Sequence, residues 1–256
     1  MELHIREPLC FSEPGERPNN QDFIFPELGQ ASATDQLFLV CDGIGGADKG
    51  EEASRIVGQR VSAYFLRNQP LILNKVALRE AVQEAYDGLE EYLEQNPLVN
   101  RMGTTLTLLQ LHERGASVAH LGDSRVYHVG RHGVKFCTTD HKQVYELVEA
   151  GIITAEQAKT HPWRNRLSRA ILASSAQKGS QDDVADLTHL TDVEVGDYFF
   201  LCSDGVLEQL DDTSLLAILH MDAPEEEKLA QLLAICQNRT KDNFSGYLVC
   251  VNAIRS

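Results

Sequence analysis

Apolar residues along the chain keep two different rhythms, and the switches between them mark out the elements. In residues 51–66, Ala53, Ile56, Val57, Val61, Tyr64 and Phe65 fall on one stripe of a 3.6-residue period, which predicts an amphipathic helix. Residues 78–95 repeat the pattern with Leu78, Ala81, Val82, Ala85, Leu89, Tyr92 and Leu93, until Asn96-Pro97 ends it. Glu51 and Glu52 suit the first turn of the earlier helix, where unpaired N–H groups favour negative charge.

Other runs are short and strand-like. LFLVC leads into Asp42, and TTLTLLQL (104–111), SVAHL (117–121), RVYHV (125–129) and VKFCT (134–138) follow one another across short gaps. Gaps that short favour antiparallel hairpins over crossover connections. Residues 141–173 read as helical again, with Gly151 at one helix end and Thr154-x-x-Gln157 as a capping box. A strand at 198–202, helices near 213–220 and 225–238, and a last strand at 247–254 complete the chain. Strands and helices come in blocks and do not alternate. The expected class is therefore α+β, with antiparallel sheets covered by helix pairs.

Composition narrows the setting. The chain has 256 residues, 43% hydrophobic and 24% charged, as an ordinary globular protein does, and no linker or repeat divides it. One domain over residues 1–256 is expected. The net charge of −15 argues against a nucleic-acid binder, which needs a basic face to neutralise phosphates. Six cysteines form no C-x-x-C pair, which argues against zinc, and Cys41, Cys202 and Cys250, inside apolar runs, read as small buried hydrophobes in a reducing compartment. The N-terminus has acids and prolines where a secretory signal needs a basic start and an apolar core. No apolar run approaches the roughly 18 residues of a membrane span. A cytoplasmic monomer is the expectation.

The chemistry lies where apolar runs end. Asp42-Gly43, Asp204-Gly205 and Asp123 each close a strand-like run, Asp242 opens one, and Asp22 follows Arg17-Pro18-Asn19-Asn20-Gln21. Hard cations such as Mg²⁺ and Mn²⁺ want oxygen ligands on rigid supports, and a glycine alongside lets backbone and water approach. Arg17 offers a planar guanidinium that matches phosphate oxygens bidentately. Each Asp-Gly is also an ordinary turn, and Asp123 in GDSR fits an Asx-turn. The residues alone imply an acidic α+β domain with a candidate Mg²⁺ or Mn²⁺ site.

The ordered motifs go further. R-P-N-N-Q-D (17–22), V-C-D-G-I-G-G-A-D-K-G-E-E-A-S (40–54), M-G-T-T-L (102–106) and L-G-D-S-R-V-Y (121–127) come in turn. T-T-D-H (138–141), H-P-W-R-N-R-L-S-R-A (161–170), G-D-Y-F-F-L-C-S-D-G (196–205) and D-N (242–243) follow. Together they resemble the type 2C metal-dependent protein serine/threonine phosphatases in their compact bacterial form, over residues 12–252.

The resemblance implies a four-layer α-β-β-α sandwich of two antiparallel sheets flanked by helix pairs, with a helical flap at about 141–173. It implies a centre of two Mn²⁺ or Mg²⁺ ions whose shared water attacks phosphoserine or phosphothreonine without a phosphoenzyme. Asp42 would bridge both ions and hold the water, Gly43 would offer its carbonyl, Asp204 and Asp242 would hold the first ion, and Asp22 the second. Asp123 with Asp204 would hold a third, weaker ion, and Arg17 would grip the substrate phosphate. Phosphoprotein products of a cognate serine/threonine kinase are the implied substrates.

Two positions depart from the family pattern. Gln21 stands where many relatives have Glu, and Ile44 where the eukaryotic branch has a histidine that serves as general acid. His141 and His161 lie in the flap, where a structural role outweighs an acid role. Arg164, Arg166 and Arg169 read mainly as structural pairs, with steering of acidic phosphoproteins as the alternative. A catalytically weak or inactive binding module is the alternative function. A dehalogenase-like phosphatase is excluded, because C-D-G-I-G lacks the Asp-x-Asp nucleophile.

Overall fold

The computed structural model describes residues 2–44, 49–69, 72–175 and 185–255. Gly45, Gly46, Ala47 and Asp48 of the second motif lie outside the described residues.

One sheet contains β1 (Glu2–Ile5), β2 (Leu9–Glu13), β8 (Arg125–Gly130), β9 (Gly133–Cys137), β12 (Tyr198–Cys202) and β13 (Phe244–Arg255). Its order is β1-β13-β12-β8-β9, with β2 also pairing β13. The other sheet contains β3 (Asp22–Phe25), β4 (Leu37–Asp42), β6 (Leu106–His112), β7 (Gly115–Leu121) and β11 (Asp186–Leu190). Its order is β11-β7-β6-β4-β3, and every pairing in both sheets is antiparallel. Helices α1 (Gly50–Arg67) and α2 (Lys75–Gln95) cover the second sheet, while α5 (Asp204–Leu207), α6 (Asp212–Leu219) and α7 (Glu225–Cys236) cover the first.

Strand periodicity explains the layering. On β4, Leu37, Leu39 and Cys41 face the helices, whereas Phe38 and Val40 face the other sheet. On β12, Tyr198, Phe200 and Cys202 pack under α6 and α7, and Phe199 and Leu201 meet the β4 side chains between the sheets. Successive side chains alternate faces, so a strand buried on both sides reads as a continuous apolar run. Three apolar layers separate four layers of backbone. The four-layer expectation holds.

The flap differs from its helical reading. Residues 141–173 hold two short helices, α3 (Gln143–Glu149) and α4 (Ala155–Thr160), and then pass through a turn at 162–165 and irregular chain. The segment ends in β10 (Ile171–Ser174), paired antiparallel with β5 (Arg101–Thr104). The capping box is present, with Thr154 and Gln157 serving each other's backbone, and Gly151 takes the left-handed conformation at φ 68°. TTLTLLQL is also not one strand. Thr105 leaves the ladder to bind the backbone of Asp42, so β5 stops at Thr104 and β6 begins at Leu106. Among the described residues no helix is long and apolar enough to cross a membrane.

Candidate metal centre

Strand pairing brings the carboxylates together. Asp22 at the start of β3 lies directly opposite Asp42 at the end of β4. From the other sheet, Asp204 follows the end of β12, and Asp242 precedes β13. The Asp42 backbone is held on both sides: its N–H donates to Thr105 Oγ1 at 2.9 Å, and its carbonyl accepts from Thr105 N at 2.9 Å and Thr104 Oγ1 at 2.8 Å. Ser203 Oγ donates to Asp22 Oδ2 at 2.7 Å across the two sheets. Asp22 Oδ1 is buried with no hydrogen-bond partner.

The glycines make room for backbone. A Cβ on Gly43 would lie 2.3 Å from the Gly50 carbonyl oxygen at the start of α1, and one on Gly205 would lie 2.0 Å from the Asn243 carbonyl oxygen. Asn243 ties the turn together. Its Oδ1 accepts from Gln21 N at 2.8 Å, and its Nδ2 donates to Pro14 O at 2.9 Å and Asn19 O at 2.8 Å.

Acids so close resist ionising together. Burial first, then the neighbouring carboxylates, push Asp22 up to about 6 and Asp204 up to about 7, and hold Asp42 well above the ordinary range. Asp123 is raised by burial against the pull of Lys142. Hard oxygen donors with an orphaned buried oxygen and mutual repulsion fit divalent cations, whose charge would settle all of these groups as carboxylates. Among the described residues, Asp42, Gly43, Asp123, Asp204, Asp242 and Arg17 line one cleft. Asp22 opens on the adjoining groove beside Glu51.

Arg17 is paired, not free. Its Nε donates to Asp242 Oδ1 at 3.1 Å and its Nη2 to Oδ2 at 2.9 Å, a bidentate clamp that joins the expected phosphate ligand to an expected metal ligand. Gln21 Nε2 donates to Glu51 Oε2 at 3.3 Å, so a carboxylate from α1 meets this side chain. Ile44 lines the cleft, its N–H bonded to Gly103 O at 3.0 Å.

The flap histidines have other work. His141 Nδ1 accepts from Gly122 N at 3.0 Å, and its Nε2 lies 3.0 Å from Asp186 Oδ2 and 2.9 Å from Arg169 Nη1. Ligand atoms of His120, His141 and Asp186 lie within 4.8 Å of one another, but the Arg169 guanidinium, 3.0 Å from Asp186 Oδ1, already sits on this group. An ion there would have to displace it. His161 Nδ1 accepts from Trp163 N at 3.1 Å. Of the three arginines, Arg169 is a structural pair, Arg166 lies over the Trp163 ring and lines the cleft, and Arg164 is exposed.

Sequence reasoning missed Thr105, Ser203, Asn243 and Lys142. Each acts by bonding a residue far away in the chain; Thr105, Ser203 and Asn243 lie inside the recognised motifs but carry no role in them, and Lys142 was marked only by following the T-T-D-H run. Lys142 Nζ lies 3.1 Å from Asp123 Oδ2, so Asp123 already has a cation.

Known proteins share this fold. Residues 16–240 match the family described as Protein phosphatase 2C. The protein phosphatase PhpP of Streptococcus pneumoniae is 28% identical over 247 residues, covering 92% of this chain and 93% of its own. The crystal structure of the Mycobacterium tuberculosis serine/threonine phosphatase PstP/Ppp superposes with a TM-score of 0.81 at 27% identity, over 98% of this chain and 100% of that one. The catalytic domain of a PstP serine/threonine phosphatase in complex with two manganese ions superposes with a TM-score of 0.77, also at 27% identity and the same coverage.

Proposed function

The chain belongs to the protein phosphatase 2C family, and on that footing we propose that it hydrolyses phosphoserine and phosphothreonine in proteins at a centre of two divalent cations. One observation carries the reading: aspartates from four distant segments meet at one end of the two sheets, beside a guanidinium, and burial with neighbouring carboxylates raises Asp22, Asp42 and Asp204. Its substrates are products of a serine/threonine kinase, and residues 1–256 act as one catalytic domain with 141–173 as its flap.

Asp42, with Gly43 beside it, would serve both ions, Asp204 and Asp242 one of them, and Asp22 the other. Mn²⁺ or Mg²⁺ held there supplies Lewis acidity that activates water and neutralises phosphate oxygens. The Arg17 fork is closed on Asp242; with Asp242 engaged in holding an ion, that fork would be available to grip the substrate phosphate. Water adds to phosphorus, the bond to the serine or threonine oxygen breaks, and a proton ends on the departing hydroxyl. Ile44 has no proton to give, and both ring nitrogens of His141 are engaged, so neither side chain is the acid. A cysteine nucleophile is not needed. Cys41, Cys202, Cys236 and Cys250 are buried in the apolar layers, and burial raises each thiol.

The test is p-nitrophenyl phosphate hydrolysis after EDTA treatment, with Mn²⁺ and then Mg²⁺ restored. Turnover is expected only with metal, and Asp42→Asn and Asp204→Asn each lower kcat by on the order of 10³-fold or more, as removal of a principal electrostatic stabiliser does. Folded protein that shows no metal-dependent turnover would leave the binding-module reading in its place.

A further inference from the structure

Asp123 occupies the turn between β7 and β8 and is 4% exposed. Asp140, on the chain leading into α3, is also buried, and Arg125 clamps it bidentately at 2.6 and 3.0 Å. Lys142 reaches into the gap between them, with Nζ 3.1 Å from Asp123 Oδ2 and 3.4 Å from Asp140 Oδ2. Its side chain is only 14% exposed. This amine therefore sits between two buried carboxylates, each within 3.4 Å.

That ammonium lies on a ligand that the family resemblance assigns to a third divalent ion. We infer that Lys142 stands in place of this ion, so that the chain's centre takes two divalent cations and no third. The inference rests on the two-ion reading of the site. A dication seated on Asp123 would have to share a buried carboxylate with a fixed positive charge a few ångströms away, and like charges repel strongly where water is excluded. Nor can the lysine leave easily. Lys142 pairs with Leu167 as a β-bridge, Gln143 N donates to Arg166 O at 2.9 Å, and Ser168 N donates to His141 O at 2.9 Å.

These contacts add a consequence for the flap. Residues 165–170 form one wall of the cleft, and their base is stitched to the backbone around Lys142. The Lys142–Asp123 pair therefore ties the flap base to the carboxylate centre through the protein's own charge. The position of that wall does not depend on a weakly bound ion.

The experiment counts Mn²⁺ bound per full-length chain, by titration calorimetry and by equilibrium dialysis with metal analysis. Two ions are expected in the wild type, three in Lys142→Ala, and two in both Asp123→Asn and the Lys142→Ala/Asp123→Asn double variant. Three ions in the wild type, falling to two in Asp123→Asn, overturn the inference, as does a folded Lys142→Ala that still binds two. Should Lys142→Ala fail to fold by circular dichroism, the comparison of wild type with Asp123→Asn decides: two and two support it, three and two overturn it. A wild type that binds no Mn²⁺ removes the two-ion reading, and the inference falls with it.

Discussion

Gly43 and Gly205 each follow a carboxylate of the centre, and both are there because backbone meets backbone. The atoms that a Cβ would strike are the carbonyl oxygens of Gly50 and Asn243, neither of which can swing aside as a side chain could. Gly43→Ala therefore has to push β4 and the start of α1 apart. The expected cost is about 1–3 kcal/mol, the usual range for forcing extra atoms into a packed site. A lower melting temperature and weaker Mn²⁺ binding should appear together in the same variant. Unchanged values for both would mean that the contact relaxes freely. At this scale the sequence was half legible. Asp22, Asp42, Asp123, Asp204, Asp242 and Arg17 could be named from the motifs, and the structure gathers them around one cleft and its adjoining groove. The Arg17–Asp242 clamp could not be foreseen, since the two stand 225 positions apart and each is an ordinary surface residue by itself. Lys142 was hidden for a similar reason: only its geometry says that its charge points inward.

Helices were the easiest elements to foresee, because an amphipathic stripe records which face is buried. α1 and α2 came within a few residues of their observed ends, and the larger error was at the start of α2, which begins at Lys75 instead of residue 78. The missing turn is set by a cap. Asn74 Oδ1 accepts from Val76 N at 3.0 Å and Ala77 N at 3.1 Å, which satisfies two of the donors that a helix start leaves open. Asn74→Ala is expected to cost about 1 kcal/mol, which is about 2–4 °C in melting temperature for a chain of this size. Asn74→Asp should recover most of it, which differential scanning calorimetry can check. Strands were harder. β1, β2, β3 and β10 have four or five residues each, too few to establish a period, and β11 is intermediate or exposed along its whole length. The flap misled for another reason. Its two short helices set a helical rhythm, but the turn and irregular chain behind them are held by backbone bonds to residues 141–143 and, in β10, by pairing with β5, and leave no local pattern.

At the scale of the molecule, the centre is where the two sheets are joined. Asp22 and Asp42 come from one sheet, Asp204 and Asp242 from the ends of strands in the other, and repulsion among them pushes the sheets apart whenever they ionise without a counter-charge. This couples stability to both pH and metal. Without metal, Asp204 titrates at about 7, and Asp42 also lies well above its usual range. The folded chain then keeps protons that the unfolded chain has already released. Stability from these groups is complete below the unfolded carboxylate pKa and is lost as pH rises through the folded values. Histidines act in the opposite direction: burial lowers His120 to about 4 and also lowers His112 and His128, so they add stability as pH rises toward about 6.5 and are finished above it. From about pH 7, where the histidine effect is nearly spent, to about pH 8, below the unfolded thiol pKa of about 8.5, the carboxylate effect should dominate, and the melting temperature in EDTA is expected to fall. Mn²⁺ replaces the protons, so saturating metal should abolish most of that slope and raise the melting temperature, by roughly 2.7 kcal/mol of stability at one hundred times the dissociation constant. Asp204→Asn, with its proton-holding group removed, should show a flatter slope in EDTA than the wild type. A melting temperature in EDTA that stays level or rises across this interval would show that the four aspartates do not repel one another as their placement requires.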